Sequence, residues 1–413
     1  MSQHSGSTRS RKRDVFAFVA AGALPVPWAV AQAFGGLGMP QEVIACLSGL
    51  AILGGAFVLS WAMELAERDV PQSLAILVLA LVSVLPEYAV DLHFAIRAGE
   101  DPSYAPYAVA NMTGANRLLI GLGWPLVVWI ACRRNRAHTL HIHPHQRLEI
   151  RYLLLATLYS LLIPLEGHID LVDAAVLFLL FGLYVARATK SEAAEVELVG
   201  PAALLDREFG DLGRRLWAVG LFVFAAYAIF VSAEPFAESL VHVGKNRHVD
   251  EFLLVQWVAP LASESPEFLI AILFALRLRG SVGIGALISS KVNQWTLLVG
   301  AIPIAFCLSA GHLGGLPLDG RQTEELVLTS AQSLMAAVLI ADLRFNRTEA
   351  LGLAALFLGQ FLFTSTQVRW LFTGAYLALT VALLVTGSGR RRRNFVQLIF
   401  SLPSSDQRGR EGD

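Results

Sequence analysis

The feature that most constrains this chain is a series of about twelve apolar stretches, each roughly 20 residues long and separated by short polar connections. Such a stretch crosses a bilayer as a helix, because all of its backbone hydrogen bonds are made within the segment. Of the 413 residues, 55% are hydrophobic and only 16% are charged, too few charges to cover a water-soluble protein of this size. The sequence therefore predicts an all-α, polytopic membrane protein. We expect spans near residues 14–35, 42–66, 71–97, 104–132, 149–166, 168–187, 214–241, 250–277, 280–311, 325–343, 348–366 and 369–387.

The distribution of arginine and lysine predicts how these helices are oriented. Alternate connections are rich in arginine, and the connections between them are poor in it, with Lys245–Arg247 as the exception. The rich connections are 9–13, Arg68, 133–151, 187–215, 277–279, 344–347 and 390–393. By the positive-inside rule both termini are cytoplasmic, and the short loops are typical of a bacterial inner membrane.

The start of the chain allows one alternative. Arg11–Arg13 followed by an apolar run resembles a cleavable signal peptide. Pro25, Pro27 and the length of the run favour an uncleaved first helix instead.

An internal repeat connects the two halves of the chain. Residues 83–87 (SVLPE) align with 263–267 (SESPE), residues 116–123 align with 293–300, and Glu64 aligns with Glu238. We expect five helices in each repeat, so that the second copy enters the membrane upside down, as in many secondary transporters. The expected organisation is a tail at 1–13, an additional helix at 14–35, repeats at 42–187 and 214–366, a cytoplasmic linker at 188–213, an additional helix at 369–387 and a tail at 388–413.

Glu87 and Glu267 are the repeated residues with the clearest chemistry. A carboxylate inside an apolar helix is costly unless it is paired, protonated or bound to a cation. Each follows a proline, which predicts a local break in each helix and an unbonded carbonyl four residues before the proline. Ser83 and Ser263 lie one helical turn before the glutamates, on the same helix face. Carboxylates, hydroxyls and carbonyls are the hard ligands that Ca²⁺ or Na⁺ requires.

These elements resemble the Gly-Thr-Ser-Leu-Pro-Glu motif of the sodium/calcium exchanger (calcium/cation antiporter) superfamily. Residues 110–116 (ANMTGAN) look like its partner motif, Gly-Asn-x-x-Gly-Ser-Asn, and residues 285–291 (GALISSK) occupy the equivalent place in the second half. The resemblance covers about residues 42–366. It implies ten core helices, of which four carry the ion sites, and alternating access.

The resemblance also implies roles for individual residues. Glu87 and Glu267 would be the principal cation ligands, with Ser83, Ser263 and Ser290 as supporting oxygen ligands. Ala115 departs from the motif by replacing a ligand serine. The family's next polar position falls on Leu119 in the first half and on Gln294 in the second. A shifted alignment pairs Thr113 with Ser290 instead, so the register of the first half stays open.

Lys291 is the largest departure, because it brings a positive charge beside Glu264 or Glu267 and could take the place of a sodium ion. Arg117 is expected close to the corresponding site of the first half, and Asp91 lies one turn from Glu87. Four acids and two bases suit proton-coupled exchange or an altered stoichiometry. The alternative is that Lys291 and Arg117 form structural ion pairs with Asp91 or Glu264. The candidate ligands are Glu87, Glu267, Ser83, Ser263, Glu264, Ser290, Asp91, Thr113, Asn116, Asn293 and Gln294, with Lys291 and Arg117 as charge-modulating residues.

Three functions compete at this point. The first is a secondary antiporter that exchanges Ca²⁺ or a related cation for Na⁺ or H⁺. The second is a channel or non-transporting sensor in which Lys291 and Arg117 fill the sites. The third, an intramembrane enzyme, is disfavoured because the chain carries no motif such as His-Glu-x-x-His or Gly-x-Ser-x-Gly. We expect no cofactor, inorganic cations and membrane lipid as partners, and no nucleic acid. The oligomeric state stays open.

Overall fold

The computed structural model describes residues 2–34, 38–69, 84–189, 198, 200–363, 365–387 and 389–400, with side chains from residue 11 onward. These residues form eighteen α-helices and four short strands. The helices are α1 Ser2–Ala23, α2 Val26–Ala33, α3 Gln41–Glu67, α4 Leu85–Glu100, α5 Ala105–Leu118, α6 Trp124–Arg134, α7 Arg147–Ser160, α8 Ile163–Glu166, α9 Leu171–Ala188, α10 Pro201–Glu208, α11 Asp211–Arg247, α12 Glu251–Leu276, α13 Gly280–Asn293, α14 Val299–Ala310, α15 Gly320–Ile340, α16 Arg347–Leu362, α17 Thr366–Thr386 and α18 Gly389–Phe400.

Long apolar helices confirm the predicted all-α membrane class. Ten helical stretches among the described residues are long and apolar enough to cross a bilayer. Two predicted spans are not among them. The span expected at 71–97 lies partly outside the described residues, and its remainder forms α4. The span expected at 348–366 forms α16, which has only 16 residues.

Two small antiparallel ladders mark the opposite ends of the bundle. Strand β1, Thr139–His141, pairs with β4, Arg344–Asn346. Strand β2, His168–Ile169, pairs with β3, Leu316–Pro317. Each ladder joins a connection of the first half to one of the second half. We name the two ends after them, the β1–β4 face and the β2–β3 face.

Helices α3 and α11, the first helices of the two halves, pack along each other. Glycine makes this contact close. A Cβ atom at Gly55 would lie 2.9 Å from Cγ1 of Ile229, and one at Gly49 would lie 2.8 Å from the Phe236 ring. Small residues bring helices together in membranes, where dispersion contacts replace the hydrophobic effect as the source of association.

An ion-pair cluster holds α10 against the ends of α3 and α11. Arg214 lies 2.9 Å from Asp69 and 3.3 Å from Asp206, and Arg68 also pairs with Asp206. The Arg214 guanidinium lowers the pKa of Asp69, so this carboxylate stays charged at neutral pH. The linker thus contains a short docked helix, although residues 190–197 lie outside the described part.

Residues 389–400, which we expected as part of the C-terminal tail, form helix α18. Arg391, from the arginine run, is buried, and its Nη2 lies 2.7 Å from Glu349 and 3.4 Å from Asp342. Asn394 donates a hydrogen bond to the carbonyl of Ala341. Carboxylates distant in sequence therefore bind Arg391, in a segment that composition alone predicts to be a polar tail.

Gly114 provides a test of the packing that positions the site. It lies where α5 crosses α12, and a Cβ atom there would overlap the carbonyl oxygen of Gln256. We expect Gly114→Ala to destabilise the protein by roughly 1–3 kcal/mol, the usual cost of overpacking. The midpoint of thermal unfolding in detergent should fall measurably. Gly374→Ala is the matched control, because nothing lies within 4 Å of a Cβ atom at Gly374. Equal midpoints for the two variants would contradict the close crossing.

Candidate cation site

The two repeated glutamates converge between α4 and α12. Glu87 lies in the first turn of α4, directly after Pro86, and its side chain is 1% exposed. Glu267 lies within α12 and is half-buried. The two carboxyl groups interact electrostatically, and the hydroxyl of Ser263 donates a hydrogen bond to the carbonyl of Ala259. Groups from the two inverted halves thus meet at one place.

The expected break in the second helix is absent. Helix α12 runs from Glu251 to Leu276 through both Pro260 and Pro266. Neighbouring helices in a membrane protein can support a proline inside a continuous helix. In the first half, the carbonyl expected to be free belongs to Val82, which lies outside the described residues.

Two further carboxyl groups adjoin this pair. Glu264 is fully buried, interacts electrostatically with both Glu87 and Glu267, and accepts a hydrogen bond of 3.2 Å from Nε2 of Gln294. Asp91, also fully buried, accepts one of 2.9 Å from Nδ2 of Asn111. The site therefore concentrates four acids inside a membrane protein.

Many oxygen atoms of these acids have no hydrogen-bond donor among the described residues. They are both oxygens of Glu87, Oε2 of Glu264, Oε2 of Glu267 and Oδ2 of Asp91. A buried carboxylate oxygen without a donor is costly, so it requires a proton or a cation. Several such oxygens from different helices are the ligand set of a hard cation.

Of the remaining candidate ligands, Ser290 and Gln294 interact with the acids. The Ser290 hydroxyl interacts with Glu267 and lies 3.5 Å from Nε2 of Gln294. Thr113 donates to the carbonyl of Val109, and Asn116 donates to that of Met112. Of the other candidates, Asn293 is buried in the last turn of α13, and Ser83 lies outside the described residues.

Lys291 reaches across to the first half. Its Nζ donates a hydrogen bond of 2.6 Å to Oδ1 of Asn116 and lies 4.1 Å from the centre of the Trp295 ring. It also interacts electrostatically with Glu264. The ammonium group is thus part of the acidic cluster.

Two π-helical segments favour one of the two registers between the halves. They span Leu119–Gly123 and Gln294–Leu298. The first begins three residues after Asn116, and the second begins three residues after Lys291. The backbone therefore makes Asn116 and Lys291 equivalent, as in the motif of the family that the sequence resembles. The shifted alignment, which pairs Thr113 with Ser290 and residues 116–123 with 293–300, does not match these segments, so the predicted equivalence of 116–123 and 293–300 is wrong by two residues.

Arg117 does not lie where either interpretation of the sequence expected it. Its Nη2 is 2.5 Å from Oε2 of Glu325 on α15, and its guanidinium lies over the ring of Trp257. The predicted pairing of Arg117 with Asp91 or Glu264 is therefore wrong. Arg369 of α17 also pairs with Glu325, and its Nε lies 3.3 Å from Glu324. These four residues form a second buried charge cluster, here called the α15 cluster.

The sequence interpretation missed two other groups that shape the site. Asn111 donates a hydrogen bond to Asp91. Because Asn111 lies in the 110–116 motif, it could have been predicted as a site residue. Gln256 lies 3.4 Å from the hydroxyl of Thr113 and belongs to no motif. The α15 cluster was missed as well, because its residues come from three helices far apart in sequence.

The α15 cluster yields a stability prediction. Arg117→Gln leaves the two glutamates with only one arginine, and breaking a buried ion pair costs roughly 3–5 kcal/mol. The double variant Arg117→Gln/Glu325→Gln restores the charge balance and should recover part of that loss in a thermal unfolding series. Exposed Arg390→Gln serves as the control and should change stability by no more than about 0.5 kcal/mol. A double variant no more stable than Arg117→Gln would argue against the pairing.

Comparison with known proteins places this geometry in a family. The family model described as sodium/calcium exchanger protein matches residues 42–190 and 217–366. A search of curated proteins finds no match. The crystal structure of the H⁺/Ca²⁺ exchanger CAX is 45% identical, with a TM-score of 0.88 over 93% of this chain and 97% of that one.

Two more distant structures share the fold. The sodium-calcium exchanger NCX_Mj is 18% identical, with a TM-score of 0.53 over 79% of this chain and 99% of that one. Native YfkE is 14% identical, with a TM-score of 0.60 over 88% and 99%. Because the family model matches each half and the CAX match extends over nearly the whole chain, the chain belongs to the sodium/calcium exchanger protein family, as a cation antiporter of the membrane and not an enzyme.

Proposed function

We propose that this protein exchanges Ca²⁺ for H⁺ through the carboxyl groups of Glu87, Glu264 and Glu267. The observation that carries the proposal is the cluster of carboxylate oxygens, contributed by both halves, that have no hydrogen-bond donor within the described part of the chain. The identity of 45% to an H⁺/Ca²⁺ exchanger supports both the cation and its counter-ion.

Charge balance gives the mechanism of coupling. One divalent cation cancels the charge of two carboxylates, and so do two protons. In a site shielded from water, carboxylates carrying neither are costly. Glu87 and Glu267 therefore release Ca²⁺ when they are protonated, and they lose their protons when Ca²⁺ binds.

Glu238 supports a proposal for alternating access. Its carboxylate lies 3.1 Å from Nε2 of His93 and 3.3 Å from Nε of Arg97, and it accepts a hydrogen bond of 2.7 Å from the hydroxyl of Tyr104. These contacts tie α11 to α4 and to Tyr104, directly before α5, near the β2–β3 face. They have to break when the α3–α11 pair moves to open the site toward that face.

The proposed orientation places the β1–β4 face in the cytoplasm. Its connections carry the arginine-rich 133–151 and 344–347 segments, and basic segments remain cytoplasmic. We propose a bacterial inner membrane, with both termini on that side. The candidate ligands among the hydroxyl and amide groups, Ser83 included, complete the proposed site.

The proposal predicts the behaviour of single glutamate variants. Glu87→Gln and Glu267→Gln each remove a carboxylate, so Ca²⁺ uptake into proteoliposomes under an imposed H⁺ gradient should fall to background. Glu166→Gln, in an exposed residue beside β2, should transport like the wild type.

Thermal unfolding separates lost binding from a lost fold. Ca²⁺ at about 100 times its dissociation constant stabilises the wild type by about 2.7 kcal/mol, and neither glutamine variant should show this shift. Uptake that persists in both variants would remove these carboxylates from transport.

A further inference from the structure

The side chain of Lys291 is the unusual member of the acidic site. A buried ammonium is as costly as a buried carboxylate unless its charge is compensated. Lys291 is 0% exposed and belongs to α13, between the Ser290 hydroxyl and the second π-helical segment. Its positive charge is therefore part of the charge balance of the site.

Contacts from both halves hold the ammonium in one position. Asn116 of α5 accepts its hydrogen bond at 2.6 Å, and the Trp295 ring lies 4.1 Å away on the side of the second half. The face of an indole attracts a cation, most strongly where water is excluded. The negative charge of Glu264 on α12 acts on the same group. Nζ thus has an oxygen ligand, an aromatic face and a carboxylate, which together resemble a binding site for a monovalent cation.

The two halves differ at this position. The π-helical segments make Asn116 the counterpart of Lys291, so the first half presents a neutral amide where the second presents a charge. The amide oxygen of the first half is itself the ligand of the ammonium. One cation thus lies where the equivalent positions of the two repeats meet.

We propose that Lys291 is a covalently attached monovalent cation of this site and that it makes the exchanger independent of Na⁺. This inference rests on the proposed Ca²⁺ exchange. The ammonium compensates Glu264, and of the three glutamates it leaves Glu87 and Glu267, whose two charges match one divalent ion; the fourth acid, Asp91, is held by the amide of Asn111. A free Na⁺ has no place beside Glu264 while the lysine side chain fills it. Lys291 is therefore a specificity-determining residue.

Substitution of Lys291 tests the proposal through sodium. In Lys291→Ala, free Na⁺ should take the place of the ammonium. Ca²⁺ uptake under an H⁺ gradient should then be about tenfold higher in sodium than in choline buffer, which corresponds to about 1.4 kcal/mol. The wild type and Lys291→Arg, which keeps the positive charge, should give equal rates in both buffers. Methylammonium should also stimulate the alanine variant.

Thermal unfolding without Ca²⁺ provides a second readout. Na⁺ should stabilise Lys291→Ala and the bulkier neutral variant Lys291→Gln but not the wild type, and a structural role alone does not produce this difference. If both neutral variants fold, and sodium neither stabilises nor stimulates them, the proposal is overturned. It is equally overturned if both fail to fold in sodium and in choline, because Lys291 is then a structural ion-pair partner.

The controls separate this inference from the proposed function. Wild-type protein that takes up no Ca²⁺ contradicts the function, while sodium-dependent unfolding of the neutral variants still tests the role of Lys291. Wild-type uptake that rises with Na⁺ contradicts the inference and leaves exchange through Glu87 and Glu267 standing.

Discussion

The cost of removing carboxylates from water is the constraint on which the rest of this structure depends. An isolated carboxylate in a medium of low dielectric constant costs on the order of tens of kcal/mol, and the site brings four acids together. Positive charge must therefore accompany them in every state. Exchange follows from this requirement, since a cation can leave only when other positive charges replace it. The same requirement explains why Asn111 of α5, Lys291 of α13 and Gln294 of the second π-helical segment interact with the acids.

The residues that a short motif can carry were predictable from the sequence. Glu87 and Glu267 recur in similar contexts, and Glu264 lies within the second motif, so the pattern located the acids. The partner of Arg117 could not be found in this way, because Glu325 lies on a helix of the other half. The contacts of the arginine run at 390–393 could not be predicted for a similar reason: the partners of Arg391 are Asp342 and Glu349, which only the folded chain brings close. Local spacing predicts contacts within one helix and is silent about contacts between distant helices.

The register between the halves shows a different limit. Sequence comparison allowed two alignments, because substitutions have removed most of the repeated letters around Asn116. The backbone nevertheless shows the register, since a π-helical segment follows the site in each half. With this register, the two halves have a similar backbone but different charged residues. Asp91 and Arg117 have no charged counterparts among the equivalent residues of the second half, and Lys291 has none in the first.

The two ladders that join the halves have a consequence for how the protein is made. Strand β1 at Thr139–His141 cannot pair until β4 at Arg344–Asn346 has been synthesised, and Arg117 cannot pair until Glu325 has been. About 200 residues are synthesised between the partners in each case. At common rates of translation this takes roughly 10–40 s. During that interval the first half rests in the bilayer with Arg117 not yet paired with Glu325. Biogenesis of this fold thus includes an interval in which the insertion machinery or water must compensate charge that is compensated by ion pairs in the finished protein.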